Sequence, residues 1–304
     1  MEPTDPPPSP PHPRAGGQRH DSFDDRTGYD EDFLGPTVPL PLPVRPTVET
    51  VILPYTHFTV VFRPDRRLAA SAAVCIEGGL RAEDVPHVDG VDGADGWEFD
   101  GRLPEEQQAG TDVYRNNSLV RGHLVGRLDP VWGAAAVAAR AGTDTYHYPN
   151  AAPQSDVFNQ GKQLWQGLET HLLGHAPEFD RRLTVLTGPV LHDSDPPYRG
   201  IQLPLRFWKV VASMQDGALA STAYILDQSP ELSRDAERAL AGAKPGAPPP
   251  LGPFRTYQVP VSDVAELTEL EFGPLPDVDL MPPFRTPEDR WRRLESFDDI
   301  VMQD

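Results

Sequence analysis

Five side chains that could together hydrolyse a phosphodiester lie between positions 121 and 169. They occur in three strings: Arg121 and His123 in RGHL, Asn150 in NAAPQ, and Asn159 and Glu169 in FNQGKQLWQGLE. Histidine is a suitable base because its free pKa lies near neutral pH. The planar fork of arginine matches phosphoryl oxygens. Magnesium prefers oxygen ligands and keeps several waters, so one protein amide oxygen and the substrate phosphate can hold it.

The same strings resemble the DNA/RNA non-specific endonuclease family, the His-Asn type nucleases with a ββα-metal core. The resemblance continues through LTVLTGPVL at 183–191, LPLRFWKVV at 203–211, STAYIL at 221–226 and VPVSDVAELTELEFGPLP at 259–276. It therefore extends from about residue 50 to about residue 280. It implies an α+β fold: a mixed, mainly antiparallel sheet core with flanking helices and a ββα-metal motif at the active site.

The resemblance also implies a role for each residue. His123 matches the general base, Asn159 the ligand of Mg²⁺ (with Mn²⁺ as a substitute), and Glu169 a group that acts through water at the metal. Arg121 would support the transition-state charge, and Asn150 would orient the metal region or the phosphate. Outside this context, Asn159 is typical of a helix cap and Glu169 of a solvated helix face. The predicted activity is metal-dependent cleavage of DNA and RNA that leaves 5′-phosphates.

Two departures from the family pattern keep other functions open. Val120 stands where relatives usually carry Asp, and GADGWEFDGR at 93–102 lacks the arginine that precedes the aromatic residue in many relatives. Arg102 and Arg81 are candidate substitutes. One alternative is a catalytically weakened, nuclease-like module that binds nucleic acid or a protein. Another is a phosphodiesterase that acts on small nucleotides through the same site.

Gly122 is expected to give the backbone room to approach the strand being cut.

The charge distribution favours a local binding cleft over a uniformly basic surface. The chain has 304 residues and a formal net charge of −19, which argues against nucleic-acid binding by the whole surface. Residues 115–140 nevertheless carry four arginines and one acid, whereas residues 83–106 carry nine acids and one arginine. The region of the motif is therefore the locally basic one, as phosphate binding requires.

Composition divides the chain into three predicted parts. Residues 1–48 are rich in Pro, Gly, Asp and Ser and are predicted to be a disordered tail, in which PLPLPVRP is either a tether or a docking peptide for a Pro-binding module. Residues 49–280 form the predicted endonuclease domain. Residues 281–304 are predicted to form a short helix and an acidic end. The Asp-rich loop DGVDGADG at 89–96 is predicted to be solvated, with an ion site as the alternative.

Local patterns predict individual elements within the domain. HFTVVF at 57–62 and AASAAVCI at 69–76 predict a strand pair, and 156–173 predicts a helix. Three further strands are predicted at 183–191, 203–211 and 221–226. SPEL at 229–232 and TPED at 286–289 are typical of helix starts.

Partners and location are expected from weaker signals. No apolar run is long enough for a membrane helix, and the start of the sequence lacks a Sec signal, so we expect a cytoplasmic protein or export by a non-Sec route. The single cysteine, Cys75, excludes an intrachain disulfide. A nuclease inside a cell needs restraint, which predicts control by the tail or an inhibitor protein. The resemblance implies a homodimer.

Overall fold

The computed structural model describes residues 23–80, 96–155, 163–168, 171, 182–229, 251, 254–283 and 290–301. The strands are β1 (Val51–Pro54), β2 (Phe58–Arg63), β3 (Leu68–Glu77), β4 (Leu119–His123), β5 (Ala151–Ser155), β6 (Arg182–Val190), β7 (Pro197–Tyr198), β8 (Ile201–Gln202), β9 (Arg206–Gln215), β10 (Ala218–Asp227), β11 (Arg255–Val259) and β12 (Arg292–Leu294). The α-helices are α1 (Thr111–Tyr114), α2 (Ala135–Asp144), α3 (163–168) and α4 (Val261–Thr268).

Eight of these strands form one antiparallel sheet in the order β1-β2-β3-β6-β9-β10-β11-β12. The predicted β2–β3 pair and the three strands predicted at 183–191, 203–211 and 221–226 all lie in it. Helices flank the sheet, and β4 and β5 pair separately. The predicted α+β fold, with its mainly antiparallel core, is therefore confirmed.

Both faces of the sheet are buried, and β9 shows why. Side chains alternate across a strand, so Phe207 and Val211 join one buried apolar cluster while Trp208 and Val210 join another on the opposite face. The first cluster also contains Leu124 after β4, Ala152 of β5, and Leu164 and Trp165 of α3. The β4–β5–α3 unit therefore packs on the first face of the sheet, and the buried side chains of that face support it.

The predicted disordered tail is wrong for residues 23–48. Val38 is fully buried, Pro43 pairs with Leu270, and the Val44 N–H donates to the Glu269 carbonyl at 2.9 Å. Part of the PLPLPVRP run is thus fixed along the segment after α4. Proline lacks an N–H donor but keeps its carbonyl acceptor, and Pro41 accepts a hydrogen bond from Ser71 Oγ.

The predicted C-terminal helix is wrong for the described residues apart from one 3-10 turn, Phe297–Asp299. Arg292–Leu294 form β12, which pairs with β11 at the edge of the sheet. The Gln258 side chain then donates to the Val301 carbonyl and accepts from its N–H, at 2.7 and 3.0 Å. Pairing with a sheet edge has overridden the amphipathic pattern there.

Several predictions fall on positions outside the described residues. They concern the Asp-rich loop up to residue 95, the substitute arginine Arg81, the predicted metal ligand Asn159 and the predicted site residue Glu169. The helix starts predicted at 230–232 and 286–289 also lie outside the described residues. The helix predicted at 156–173 is confirmed for residues 163–168. Among the helices that the structure describes, none is both long and apolar enough to span a bilayer.

Candidate active site

The strands β4 and β5 place Arg121 and His123 beside each other. They pair antiparallel, with Arg121 opposite Pro153 and His123 opposite Ala151. Because side chains two residues apart on a strand share a face, the guanidinium and the imidazole project to the same side. Helix α2 lies between the two strands in the chain, and α3 follows β5, so the paired strands and α3 together give a β-β-α arrangement.

The imidazole of His123 is held between two aromatic rings. Its centroid lies 4.6 Å from that of Trp97 and 4.9 Å from that of Tyr146. Burial, with a smaller contribution from the positive charge of Arg127, lowers the pKa of His123 to about 4. Its Nε2 is buried and has no hydrogen-bond partner among the described residues. At neutral pH this imidazole is therefore uncharged.

The guanidinium of Arg121 lies against two tyrosine rings. Its Cζ is 5.1 Å from the ring centroid of Tyr114 and 5.8 Å from that of Tyr148. Its Nε is buried and, within the described part of the chain, has no hydrogen-bond acceptor. Buried polar groups are almost always hydrogen-bonded, so exceptions mark strain or a missing ligand. Other buried side chains of the described residues, among them three arginines, also show this exception, but Arg121 and His123 are the two that share one strand face and line one cleft.

Asn150 is a positioning residue in this structure. Its side chain is fully buried, and its Oδ1 accepts the Val125 N–H at 2.9 Å. Its Nδ2 donates to the carbonyls of Val125 and Thr145 at 3.0 and 2.9 Å, and its own carbonyl accepts the Leu124 N–H. The amide is thus committed to backbone groups. It fixes the chain directly after His123, and any effect on metal or phosphate would be indirect.

Gly122 lines the cleft described below, and Gln154 occupies the space on its Cβ side. A Cβ at position 122 would lie 2.2 Å from Cδ of Gln154. A side chain at position 122 would have to displace the Gln154 amide, so the packing of β5 against β4 favours glycine here.

A cleft of about 360 Å³ opens beside these residues. Its described lining residues are Val120, Arg121, Gly122, His123, Leu124, Gly126, Arg127, Leu128, Asp129, Gln154, Trp165, Gln166 and Lys209. Sequence reasoning missed Arg127 and Lys209 as individual members of this set. The only sequence signal for Lys209 was a charge inside the apolar string FWKVV.

The structure places Val120 and Arg102, the residues concerned in the two departures from the family pattern, in different surroundings. Val120 lies in the cleft wall, opposite Gln154 in the β4–β5 pair. Arg102 does not replace the missing arginine, because it is held elsewhere. Its Nη2 contacts Asp100 at 2.7 Å, its Nη1 donates to the Pro54 carbonyl at 2.8 Å, and its Cζ lies 3.9 Å from the Phe23 ring centroid.

The cleft offers donors suited to a hard cation that keeps its water. Among the described residues, no group of three His, Cys, Asp or Glu side chains could hold a metal. Three residues of the cleft wall, Gln154, Gln166 and Asp129, carry side-chain oxygens, and one Asp129 oxygen already accepts the Gly126 N–H. Magnesium binds through one or two protein oxygens plus substrate phosphates, so this donor set fits magnesium better than zinc, which prefers nitrogen and sulfur ligands.

Comparisons with known proteins agree with this geometry. A family model described as DNA/RNA non-specific endonuclease matches residues 43–279. An uncharacterized protein of Sinorhizobium fredii, y4fB, is 37% identical over 272 residues. That alignment covers 83% of this chain and 39% of the relative, so the chain spans less than half of that protein's length.

Proposed function

Because the chain belongs to the DNA/RNA non-specific endonuclease family, we propose that it is a magnesium-dependent endonuclease that cleaves DNA and RNA and leaves 5′-phosphate ends. The observation that carries the proposal is the pair of buried, unpartnered nitrogens, Arg121 Nε and His123 Nε2. A phosphodiester and its attacking water would supply both missing partners. A phosphoryl oxygen would accept a hydrogen bond from Arg121, and the attacking water would donate one to His123.

His123 acts as the general base. Its neutral form takes a proton from water as the water oxygen bonds to phosphorus, and the P–O3′ bond breaks on the opposite side. The imidazolium then returns its proton to solvent, and a solvent water donates a proton to the leaving oxygen, which is released as a 3′-hydroxyl. A base with a low pKa is weak in the free enzyme. The negative phosphate, once bound beside the imidazole, stabilises the imidazolium and strengthens the base.

The charge on the phosphoryl oxygens is balanced by the chain's own cations. Arg121 contributes from β4 and Arg127 from the turn that follows, and both line the cleft. Such preorganised donors stabilise charge as it develops in the transition state. Contacts of this kind are to phosphate rather than to bases. Low base specificity, and acceptance of both sugars, would follow.

Asn159 is the residue proposed to hold Mg²⁺, or Mn²⁺ in its place, with Glu169 acting indirectly. When bound, the cation supplies polarisation of the phosphoryl group and stabilisation of the leaving oxygen. The described side of the cleft adds the neutral amide oxygens of Gln154 and Gln166, which can orient water around such an ion.

The test compares substrates and product ends. Purified protein is incubated with supercoiled plasmid, a structured RNA and a dinucleotide, with Mg²⁺, Mn²⁺ or chelator. Metal-dependent cuts in both polymers, with 5′-phosphates detected by end labelling, are expected. Rapid hydrolysis of the dinucleotide with intact polymers would instead indicate a small-nucleotide phosphodiesterase. Tight binding of polymers without any cleavage would indicate the binding module.

The inhibitor protein and the homodimer remain predictions of this proposal. Light scattering coupled to size-exclusion chromatography tests the second, because a monomer at working concentration would contradict it. Pull-down from the native cell extract, followed by a nicking assay on the bound fraction, tests the first.

A further inference from the structure

A lysine occupies the middle of a buried strand. Lys209 lies on β9 between Phe207 and Val211, which share its face and belong to the apolar cluster beneath the cleft. It is only 4% exposed. Lysine is almost never buried unless its ammonium group is paired, because desolvation of the charge is costly. The position therefore calls for a physical reason.

The ammonium group of Lys209 is directed to helix α3. Its Nζ donates to the Trp165 carbonyl at 3.3 Å and lies 4.5 Å from the Trp165 ring centroid. Both residues line the cleft that contains His123. A hydrogen bond and a cation–π contact strengthen where water is excluded. One side chain thus joins the sheet, the helix and the cleft.

We propose that Lys209 is a positioning residue that docks α3 on the sheet and thereby sets the metal side of the cleft relative to His123. The inference rests on the proposed function. In sequence, Asn159 precedes the described part of α3 and Glu169 follows it directly. Groups that orient a metal's ligands typically change its affinity by 10–100-fold when they are removed. The docking of α3 would act on metal affinity in this way.

Three variants isolate this role. Lys209→Met keeps the length of the side chain and removes its charge, whereas Lys209→Arg keeps a cation. Val211→Ala is the matched control, because it disturbs the same face of the same strand without touching a charge. For each full-length variant, hydrogen exchange is measured at residues 163–168. The Mg²⁺ concentration for half-maximal nicking and the affinity for plasmid in chelator are measured alongside.

The expected result has a structural and a functional part. In Lys209→Met, residues 163–168 exchange at least about fivefold faster than in wild type, and half-saturation by Mg²⁺ rises about tenfold or more. In Lys209→Arg, the exchange rate and the Mg²⁺ half-saturation both lie much closer to the wild-type values. In Val211→Ala, neither quantity changes. Plasmid affinity in chelator stays close to that of wild type in every variant.

Other results overturn the inference. Unchanged exchange at 163–168 in Lys209→Met would show that the lysine does not dock the helix, and equal acceleration in Val211→Ala would show general loosening. Loss of plasmid affinity in chelator with unchanged Mg²⁺ half-saturation would make Lys209 a phosphate contact instead. Wild-type protein that nicks nothing contradicts the proposed function itself. A variant that matches active wild type contradicts only the role of Lys209.

Discussion

The side-chain amide of Gln154 occupies the space into which any side chain at Gly122 would project. A Cβ on Gly122 would lie 2.2 Å from Gln154 Cδ and 2.5 Å from both Nε2 and Oε1. Gln154 is itself buried, on the strand that pairs with β4. Packing between two strands therefore favours glycine between Arg121 and His123.

Replacement of Gly122 by Ala is expected to cost both activity and stability. The added methyl must displace the Gln154 amide or β4, and His123 is the next residue. We expect plasmid nicking to fall by about tenfold or more, and unfolding free energy in urea to fall by about 1–3 kcal/mol. Gly79→Ala is the control, because its Cβ would meet only Glu77 Oε1 at 3.6 Å. Wild-type nicking by Gly122→Ala would contradict this account of the string.

The role of Asn150 is tested by separating stability from rate. Asn150→Ala would leave the buried N–H and carbonyl of Val125 without the side-chain partner that they have now. An unsatisfied buried group costs about 1–3 kcal/mol, so we expect a loss of about 2–5 kcal/mol in urea unfolding together with reduced nicking. A variant that keeps full stability but loses all activity would show instead that Asn150 touches the substrate.

The pH dependence follows from the neutral state of His123. Because burial lowers its pKa to about 4, the base form persists as pH falls through the ordinary histidine pKa of about 6.5. The pH profile of kcat/KM reports the free enzyme. We expect the midpoint of its acid limb to lie well below pH 6.5. Folding stability falls over the same window, because the unfolded chain binds a proton that folded His123 does not. Rates are therefore taken only where unfolding curves show folded protein, and a limb at or above pH 6.5 would refute the expectation.

Arg127 is expected to contribute to phosphate binding and to the state of His123. Arg127→Ala removes one phosphate contact, so the slope of log affinity against log salt should decrease by about one. It also removes a positive charge that lowers the pKa of His123, so the acid limb should move to higher pH. Arg182→Ala, an exposed arginine paired with Glu77, is the control. An unchanged slope and limb would exclude Arg127 from the site.

Local patterns were sufficient for much of the fold and for part of the site. The apolar runs of β2, β3, β6, β9 and β10 predicted them, because a short run of this kind is typical of a strand that is buried on both faces. The RGH string identified Arg121 and His123 as the pair that the structure brings to one cleft. Residues two positions apart on one strand share a face, so the spacing in the sequence was enough to predict that these two side chains lie together.

What sequence could not predict depends on contacts between distant segments. The Pro-rich run and β12 were misread because their order comes from pairing with residues 269–271 and β11, which no local period reveals. The face on which Lys209 lies becomes a cleft floor only when α3 packs above it. The preference for glycine at position 122 likewise arises from Gln154, on another strand.

The most direct test of the central claim is supercoiled-plasmid nicking by wild type and His123→Ala, each with Mg²⁺ and with chelator. His192→Ala, an exposed histidine outside the cleft, serves as the matched control. The account predicts metal-dependent nicking by wild type and His192→Ala that falls by at least about a hundredfold in His123→Ala. Nicking that survives in folded His123→Ala, or folded wild type that cuts nothing with Mg²⁺ or Mn²⁺, would contradict it.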